Sequence, residues 1–408
     1  MKQRAHRAVA VTGIGAVAPG GIGAPEFWKS LFRPPVPDAI RRVNGFDPAH
    51  WLSHKQVRQL DRVSQLAVAA TQEALLDAGL LDENSPPDTP ALLDDIDLDR
   101  VAISLGTGIG GVATLEHQMT VRTERGTRRV SPFTVPMTMP NAPAAALSLR
   151  YGIRGSAWTI TTACASGTDA IAAGARLVAD GRADVVIAGG ADHSLTPTCI
   201  AGFENMGALS PTGLSRPFDS RRDGLAAAEG SGILILEPLE AARARGERIY
   251  MTVLGAASCA DAHHITSPAP RGAGAVRCMR EALDDADLEP SDIAHINAHG
   301  TSTPPGDLAE AQAIETVFGT HRPPTTSIKG VTGHSFGAAG GLEAVAVALT
   351  VAHRTLPPTV GHVVPDPQVN ADIVAEPRDW TPGPVLSNSF GFGGHNASVV
   401  LAPVQEDA

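Results

Sequence analysis

One stretch limits the possible folds of this chain more than any other: a strand, a cysteine corner, a helix and a second strand. Ser156 to Thr162 is an apolar run of β-type residues. Ser166 to Val178 is rich in small residues with helical character, and Asp184-Val185-Val186-Ile187-Ala188-Gly189-Gly190 is another buried strand. Strand, helix, strand at this spacing makes a βαβ unit, so the sheet is at least partly parallel. Cys164 falls at the corner, facing the helix N-terminus. Backbone N–H groups there lack intrahelical partners and the helix dipole favours negative charge. Both effects favour thiolate, the nucleophilic form of cysteine. The plain alternative is a free cysteine used as a small buried hydrophobe.

The other elements repeat this alternation. Ala8–Gly13 reads as a buried first strand, Asp61–Leu75 as a helix, Val101–Leu105 as a strand and Ser231–Leu236 as another. Gly13, Gly15, Gly20 and Gly21 look superficially like a nucleotide-binding loop. Pro19 interrupts them and no clear helix opens directly after, so dinucleotide binding is not expected. Gly106–Gly111 closes the second strand, where the backbone can turn tightly or approach a ligand. A second round begins near Tyr250. Met251–Ala256 echoes Val9–Gly15, with helices around Val276–Ala286, Leu308–Val317 and Gly340–Val351 and strands at Ile293–Asn297, Thr325–Ile328, Val385–Asn388 and Ala397–Leu401. The expectation is an α/β fold of two similar halves, residues 1–250 and 251–408. No low-complexity linker separates them, so they should share a core.

The formal net charge is −11 with no long basic run, which argues against nucleic acid or an anionic membrane as partner. An acidic protein would need only a local basic patch, and Arg58, Arg62, Arg122, Arg125, Arg128 and Arg129 could supply one, although such arginines usually mark a solvated face. The cysteines at 164, 199, 259 and 278 show no CxxC spacing, so neither a disulfide framework nor a metal site is expected. Without a signal peptide or an apolar run of about 18 residues, the chain reads as soluble and cytoplasmic.

Three further sites lie just past strands of the second half: Asn297-Ala298-His299-Gly300-Thr301-Ser302-Thr303, running on to Asp307 and Glu310; Lys329-Gly330-Val331-Thr332-Gly333-His334; and Asn388–Asn396 with Gly391-Phe392-Gly393-Gly394. Ligands of α/β sheets gather at the carboxyl ends of strands, so Cys164, His299, Lys329, His334 and the Phe392 loop can converge. A nucleophile with two histidines placed to orient it is recognised by these combined roles, so the residues read together as a catalytic set.

On these residues the chain resembles the β-ketoacyl-[acyl carrier protein] synthases, condensing enzymes of the thiolase-like fold, from Val11-Thr12-Gly13 to Leu401. The motifs that carry the resemblance are Thr162–Gly167, Ala208-Leu209-Ser210, Arg216-Pro217-Phe218-Asp219, His299–Thr303, Gly333-His334 with Gly337–Gly340, and Gly391–Gly394. The Cys-His-His set is similar to the elongating branch, including the ketosynthase subunit of type II polyketide synthases; the initiating branch uses Cys-His-Asn. Thiolases carry a second catalytic cysteine near the C-terminus, and this chain has none there.

The resemblance implies a layered α-β-α-β-α core and a decarboxylative condensation of a Cys164-bound acyl chain with malonyl-acyl carrier protein. It implies an oxyanion hole from the backbone N–H groups of Cys164 and Phe392, enolate binding by His299 and His334, and a supporting ion pair between Lys329 and Glu310. Thr301 and Thr303 would hold the phosphopantetheine arm, and Ile109, Phe133, Phe203, Met206 and Phe392 would line or gate the acyl pocket. No separate cofactor is implied, because the pantetheine arrives on the carrier protein. Relatives dimerise through the strand before the nucleophile, here Ser156–Thr161, with an identical chain or a cysteine-free chain-length factor; Cys164 makes this chain the active member. Two other readings share these motifs: another acyl transfer or a cyclisation, or a non-catalytic subunit that binds carrier protein.

Three positions depart from the family pattern. Leu225-Ala226-Ala227-Ala228-Glu229-Gly230 replaces a segment with Phe and Gly-Glu-Gly, Asn297 replaces a more usual Glu, and His395 replaces a Thr. These bear on substrate choice more than on the triad.

Overall fold

The structure, a computed structural model, describes residues 6–82 and 84–404. The main strands are β1 (Val9–Ala18), β2 (Val101–Gly106), β3 (Ala157–Ile160), β4 (Val185–Asp192), β5 (Gly230–Pro238), β6 (Met251–Ala260), β7 (His295–Asn297), β8 (Thr325–Thr326), β9 (Val385–Gly391) and β10 (His395–Ala402). The helices that matter here are α1 (Arg62–Asp77), α2 (Val112–Arg125), α3 (Ser166–Ala179), α4 (Pro197–Asn205), α5 (Ala273–Asp285), α6 (Pro304–Phe318) and α7 (Ala339–His353).

The strands form one continuous ladder of two equivalent halves. Counted outward from the centre, the first half runs β1-β5-β4-β2-β3 and the second β6-β10-β9-β7-β8. In each half the inner two pairings are antiparallel and the outer two parallel. Val9–Val11 of β1 pairs antiparallel with Met251–Val253 of β6 and joins the halves. The two similar halves expected from element order are therefore present as a duplicated topology. Gly13 and Gly15 fall inside β1, against α1, and form no nucleotide loop.

Helices α3 and α7 form a central layer that touches strands of both halves, with α1 outside the first and α5 outside the second. This is the five-layer arrangement. Gly167 and Gly341 allow the two central helices to cross closely, since a Cβ on Gly167 would sit 2.8 Å from the Gly341 nitrogen. A single apolar cluster takes Val11 and Leu234 from one half and Leu342, Val345 and Leu401 from the other, so the core is shared. Fully burying side chains of this size contributes about 1.5–3 kcal/mol each.

The expectation that no apolar run reaches membrane length needs correction, because Phe336–His353, which includes α7, is long and apolar enough to cross a membrane. It is 83% buried inside the protein, which makes it a core helix.

Candidate active site

The nucleophile corner is built by local hydrogen bonds. After β3 the chain makes one turn of 3-10 helix, Ala163–Ala165, before α3 begins. Ala163 takes a positive φ of 53°, an uncommon conformation for a residue with a Cβ. Ser166 holds it by accepting from Thr162 N at 2.9 Å and donating to Ala163 O at 2.6 Å. Thr162 Oγ1 donates to Asp169 Oδ2 at 2.6 Å in the first turn of α3. Gly391 lies against this corner; a Cβ there would come within 3.0 Å of Cys164 N and Thr162 O. The next residue, Phe392, donates its backbone N–H to the Cys164 sulfur.

His299 sits on the loop between β7 and α6, and two acids one turn apart on α6 clamp that loop from below. Glu310 accepts from His299 N at 2.7 Å and Gly300 N at 2.8 Å. Asp307 accepts from Ser302 N at 3.0 Å and Phe218 N at 2.7 Å. Both carboxyls are buried, and desolvation raises them, Glu310 to about 8 and Asp307 to about 6. Thr301 and Thr303 share a hydroxyl–hydroxyl hydrogen bond of 2.9 Å.

Lys329 corrects one expectation. Its ion-pair partner is Glu343 of α7, not Glu310. Glu310 is saturated by backbone donors, whereas Glu343 sits in the apolar central helix opposite Lys329. A carboxylate buried there is tenable only when paired. Lys329 Nζ also donates to His299 O at 2.5 Å and stands 3.5 Å from His299 Nδ1. An ammonium can only donate. His299 Nδ1 therefore presents its lone pair to Lys329, and Nε2 carries the ring proton.

His334 comes after the short helix Lys329–Thr332. Its backbone is gripped by the alanine segment that departs from the family pattern: His334 N donates to Ala226 O at 2.7 Å, and Ala228 N to His334 O at 2.9 Å. Asp192, at the end of β4, accepts from Gly108 N at 2.7 Å and Gly337 N at 3.2 Å, tying the glycine loop of the first half to the segment after His334. Neither Glu343 nor Asp192 was identified from the sequence. The available signal was the same for both, an acid among buried small and apolar residues.

His334 Nε2 lies 3.0 Å from Cys164 Sγ, and the rings of His299 and His334 meet edge to face at 5.2 Å. One nitrogen from each ring and the sulfur lie within 4.8 Å of one another. A soft cation could use the same three atoms, but the Lys329 charge beside His299 opposes it.

Desolvation overrules the expectation that the corner makes a ready thiolate. Cys164 is 6% exposed, and burial pushes its thiol up to about 11, with the Phe392 N–H and the Lys329 charge pulling the other way. Burial, reinforced by Lys329, holds both histidines well below their ordinary value, so they are neutral. The resting state is thus thiol beside neutral imidazole.

A cavity of about 240 Å³ opens onto this triad, lined by Cys164, His299, His334, Phe392, Thr301, Thr303 and Met206 among others. Three of the five residues expected to line or gate an acyl pocket are not among its walls. Phe203 is half-buried, stacked on the wall residue Phe336 at 4.9 Å. Ile109 and Phe133 are exposed on the excursion between β2 and β3, together with Val135 and Met139.

Comparisons with known proteins agree along the whole chain. Residues 36–242 match the family described as beta-ketoacyl synthase, N-terminal domain, and residues 250–362 its C-terminal domain. A 3-oxoacyl-[acyl-carrier-protein] synthase 2 from Synechocystis sp. is 39% identical, covering 97% of this chain and 98% of its own. The enzyme of that name from Staphylococcus aureus is also 39% identical, over 97% and 98%. Among solved structures, the ishigamide ketosynthase/chain length factor superposes with a TM-score of 0.89 at 33% identity, covering 98% of this chain and all of the other. A type II polyketide acyl-carrier protein in complex with its ketosynthase bound to the hexaketide gives 0.86 at 30%, with the same coverage. With the thiolase-like halves and the converging sulfur and imidazoles, these likenesses establish that the chain belongs to the β-ketoacyl synthase family, the acyltransferases that condense acyl chains in fatty-acid or polyketide biosynthesis.

Proposed function

We propose that this chain elongates a Cys164-bound acyl group with a malonyl unit delivered on acyl carrier protein, residues 1–250 supplying the sulfur and residues 251–408 the imidazoles. The observation that carries the reading is the convergence of Cys164, His334 and His299 on one buried chamber.

In the first step Cys164 sulfur forms a bond to the thioester carbonyl carbon and the carrier's C–S bond breaks. The Cys164 proton ends on the departing pantetheine thiol, and His334 Nε2 is the base within reach to carry it. The backbone N–H groups of Cys164 and Phe392 hold the tetrahedral oxyanion; losing one such donor in other enzymes costs about 3–4 kcal/mol. In the second step the malonyl C–C bond breaks, CO2 leaves, and the electron pair moves into an enolate. His299 Nε2–H holds the enolate oxygen together with His334, whose neutral ring takes the Nε2–H tautomer once acylation has removed the Cys164 S–H. The enolate carbon then attacks the acyl-Cys164 carbonyl and the C–S bond breaks; the Cys164 thiolate takes a proton from water to restore the resting thiol, and the β-ketoacyl product leaves on the carrier. Lys329, paired with Glu343, positions His299 and fixes its tautomer; Glu310 holds the loop backbone. Thr301 and Thr303, on the cavity wall, bind the phosphopantetheine arm, so no separate cofactor is needed. Met206 and Phe392 gate the chamber.

The carrier docks on Arg122, Arg125, Arg128 and Arg129, which are exposed at and beyond the end of α2. On the same helix, Glu116 accepts from Thr198 N at 3.3 Å, at the start of the helix that leads to Met206 at the chamber. Arg62 is not part of that patch, because it is clamped on buried Glu229. The chain works as a dimer through β3, the exposed outer strand, with an identical or homologous partner covering Ile109 and Phe133.

The test is intact-mass analysis after incubation with acyl-loaded carrier protein, then measurement of labelled CO2 release from malonyl carrier protein. An acyl adduct on Cys164 and CO2 release coupled to product are expected. An adduct without CO2 release would indicate a different acyl transfer, and no adduct a carrier-binding scaffold.

A further inference from the structure

Two cysteines outside the proposed chemistry lie against each other on the outer side of the second half. Cys259 is on β6, and Cys278 reaches it from α5, which packs on that strand. Cys259 Sγ donates to Gly274 O at 3.4 Å, one helical turn before Cys278. Cys278 Sγ donates to Ala257 O at 3.4 Å, two residues before Cys259 and on the same face of the strand. Each thiol therefore points at the other's element. Both are free; Cys278 is fully buried, whereas Cys259 is partly open.

Their surroundings differ in a way that assigns them different parts. The neighbouring Cys278 thiol, then the Arg277 guanidinium, lower the Cys259 thiol against the opposing effect of burial. The neighbouring Cys259 thiol and deeper burial push Cys278 far up. Asn396 Nδ2 stands 4.0 Å from Cys259 Sγ as a further donor. A partly exposed thiol beside a guanidinium that eases its ionisation, with a second thiol against it, is the arrangement of a redox-sensitive pair.

We propose that Cys259 and Cys278 form a peroxide-oxidised dithiol, with Cys259 as the attacking and Cys278 as the resolving sulfur. Cys259 thiolate attacks one peroxide oxygen, the O–O bond breaks, and hydroxide leaves and is protonated to water. Cys278 sulfur then attacks the Cys259 sulfenic sulfur, forming S–S, while the hydroxyl leaves with the Cys278 proton as a second water. Two thiols lose two electrons and one hydrogen peroxide becomes two waters. Cys259 sits two residues before Asp261, whose N–H donates to Gly394 O at 2.8 Å and whose carboxylate accepts from Asn396 at 2.7 Å, so the modification lies next to the anchor of the Phe392 loop.

The test treats the full chain with hydrogen peroxide, blocks remaining thiols with N-ethylmaleimide in denaturant, and maps the peptides. The expected product is a peptide carrying Cys259 linked to one carrying Cys278, lighter by two hydrogens and separated again by dithiothreitol. Cys259→Ser should abolish the link, and Cys278→Ala should leave Cys259 over-oxidised to sulfinic acid. Recovery of both wild-type cysteines as maleimide adducts, under peroxide that oxidises Cys164 or Cys199, overturns the proposal. The readout is a mass, so it does not depend on the condensing activity.

Discussion

The two halves share one strand order and differ in the connections that leave equivalent strands. In the first half, β2 ends in the glycine loop Gly106–Gly111, and β3 gives way within a few residues to Cys164 and then α3. In the second, β7 ends at His299, and β8 leads through Lys329 and His334 before α7, the counterpart of α3. The short connection holds the sulfur at a helix start. The longer one has room for a cation and an imidazole. Duplication brings the ends of β3, β7 and β8 to one chamber, and divergence of the loops places the sulfur on one half and the two imidazoles on the other. The outer edges differ as well. β8 is covered by its own chain, since Thr325 N donates to Asp372 O at 2.8 Å and Val374 N to Thr325 O at 3.0 Å. Among the described residues β3 has no such cover, and its Trp158 is 39% exposed.

If the labour is divided in this way, substitutions in the two halves should fail at different steps. Cys164→Ala is expected to abolish the acyl adduct, with condensation falling by a factor on the order of 10⁶, yet to keep CO2 release from malonyl carrier protein. His299→Ala should form the adduct and lose CO2 release by about 10²–10³, the size of a lost oxyanion donor. Paired assays of adduct mass and labelled CO2 check this; parallel loss of both steps in both variants would break the comparison.

The pH dependence comes from the Cys164 environment. With its thiol raised to about 11, the thiolate fraction and the iodoacetamide reaction should rise about tenfold per pH unit from about pH 7 to about pH 10. Because the shift favours the folded neutral thiol, its contribution to stability is complete below the ordinary cysteine value and is lost as pH rises through about 11. A rate that levels off below about pH 8 would mean that the helix start prevails over desolvation after all.

The Lys329 partnership makes a smaller, sharper difference. Glu343→Gln leaves a buried ammonium without its counter-charge and should cost about 3–5 kcal/mol in urea unfolding, whereas Glu310→Gln, which disturbs only the bonds it accepts from two backbone N–H donors, should cost about 1–3 kcal/mol. Lys329→Met with Glu343→Leu should recover most of the stability but not CO2 release, because His299 has lost the cation that sets its tautomer. A double variant that regains both would reduce the pair to structure alone.

Much of this organisation was legible because it is local. Hydrophobic runs ending in glycine, cysteine or histidine marked the strand ends, and the Met251–Ala256 echo of Val9–Gly15 marked the duplication. Contacts between distant segments were not legible. The family resemblance pointed to Glu310 as the partner of Lys329, but in the buried α7 every face is inside, so periodicity could not show that Glu343 looks at Lys329. The only trace was a single acid in an otherwise apolar helix. The helix start argued for a thiolate at Cys164 because the dipole is readable from sequence; the walls around it include His299, His334 and Phe392, more than a hundred positions away. Likewise Cys259 and Cys278 have no motif spacing and meet only because α5 lies on β6.

The contrast between the edges can be tested with the least disturbance to the chain itself. Trp158 is on the outer strand β3, where a charge discourages strand addition. Trp158→Lys removes a partly exposed ring stacked near the Arg182 guanidinium at 5.7 Å, a change worth about 0.5–1 kcal/mol to the single chain. If β3 is the dimer strand, the variant should sediment as a monomer at concentrations where the wild type is dimeric, while circular dichroism stays unchanged. A charge on the β8 side gives the control: Thr326 is buried and bonded to His295 at 2.9 Å, so Thr326→Lys should reduce folding and leave the association of the folded fraction as it was. A Trp158→Lys chain that still dimerises would move the interface elsewhere, and Ile109 and Phe133 would then need another cover.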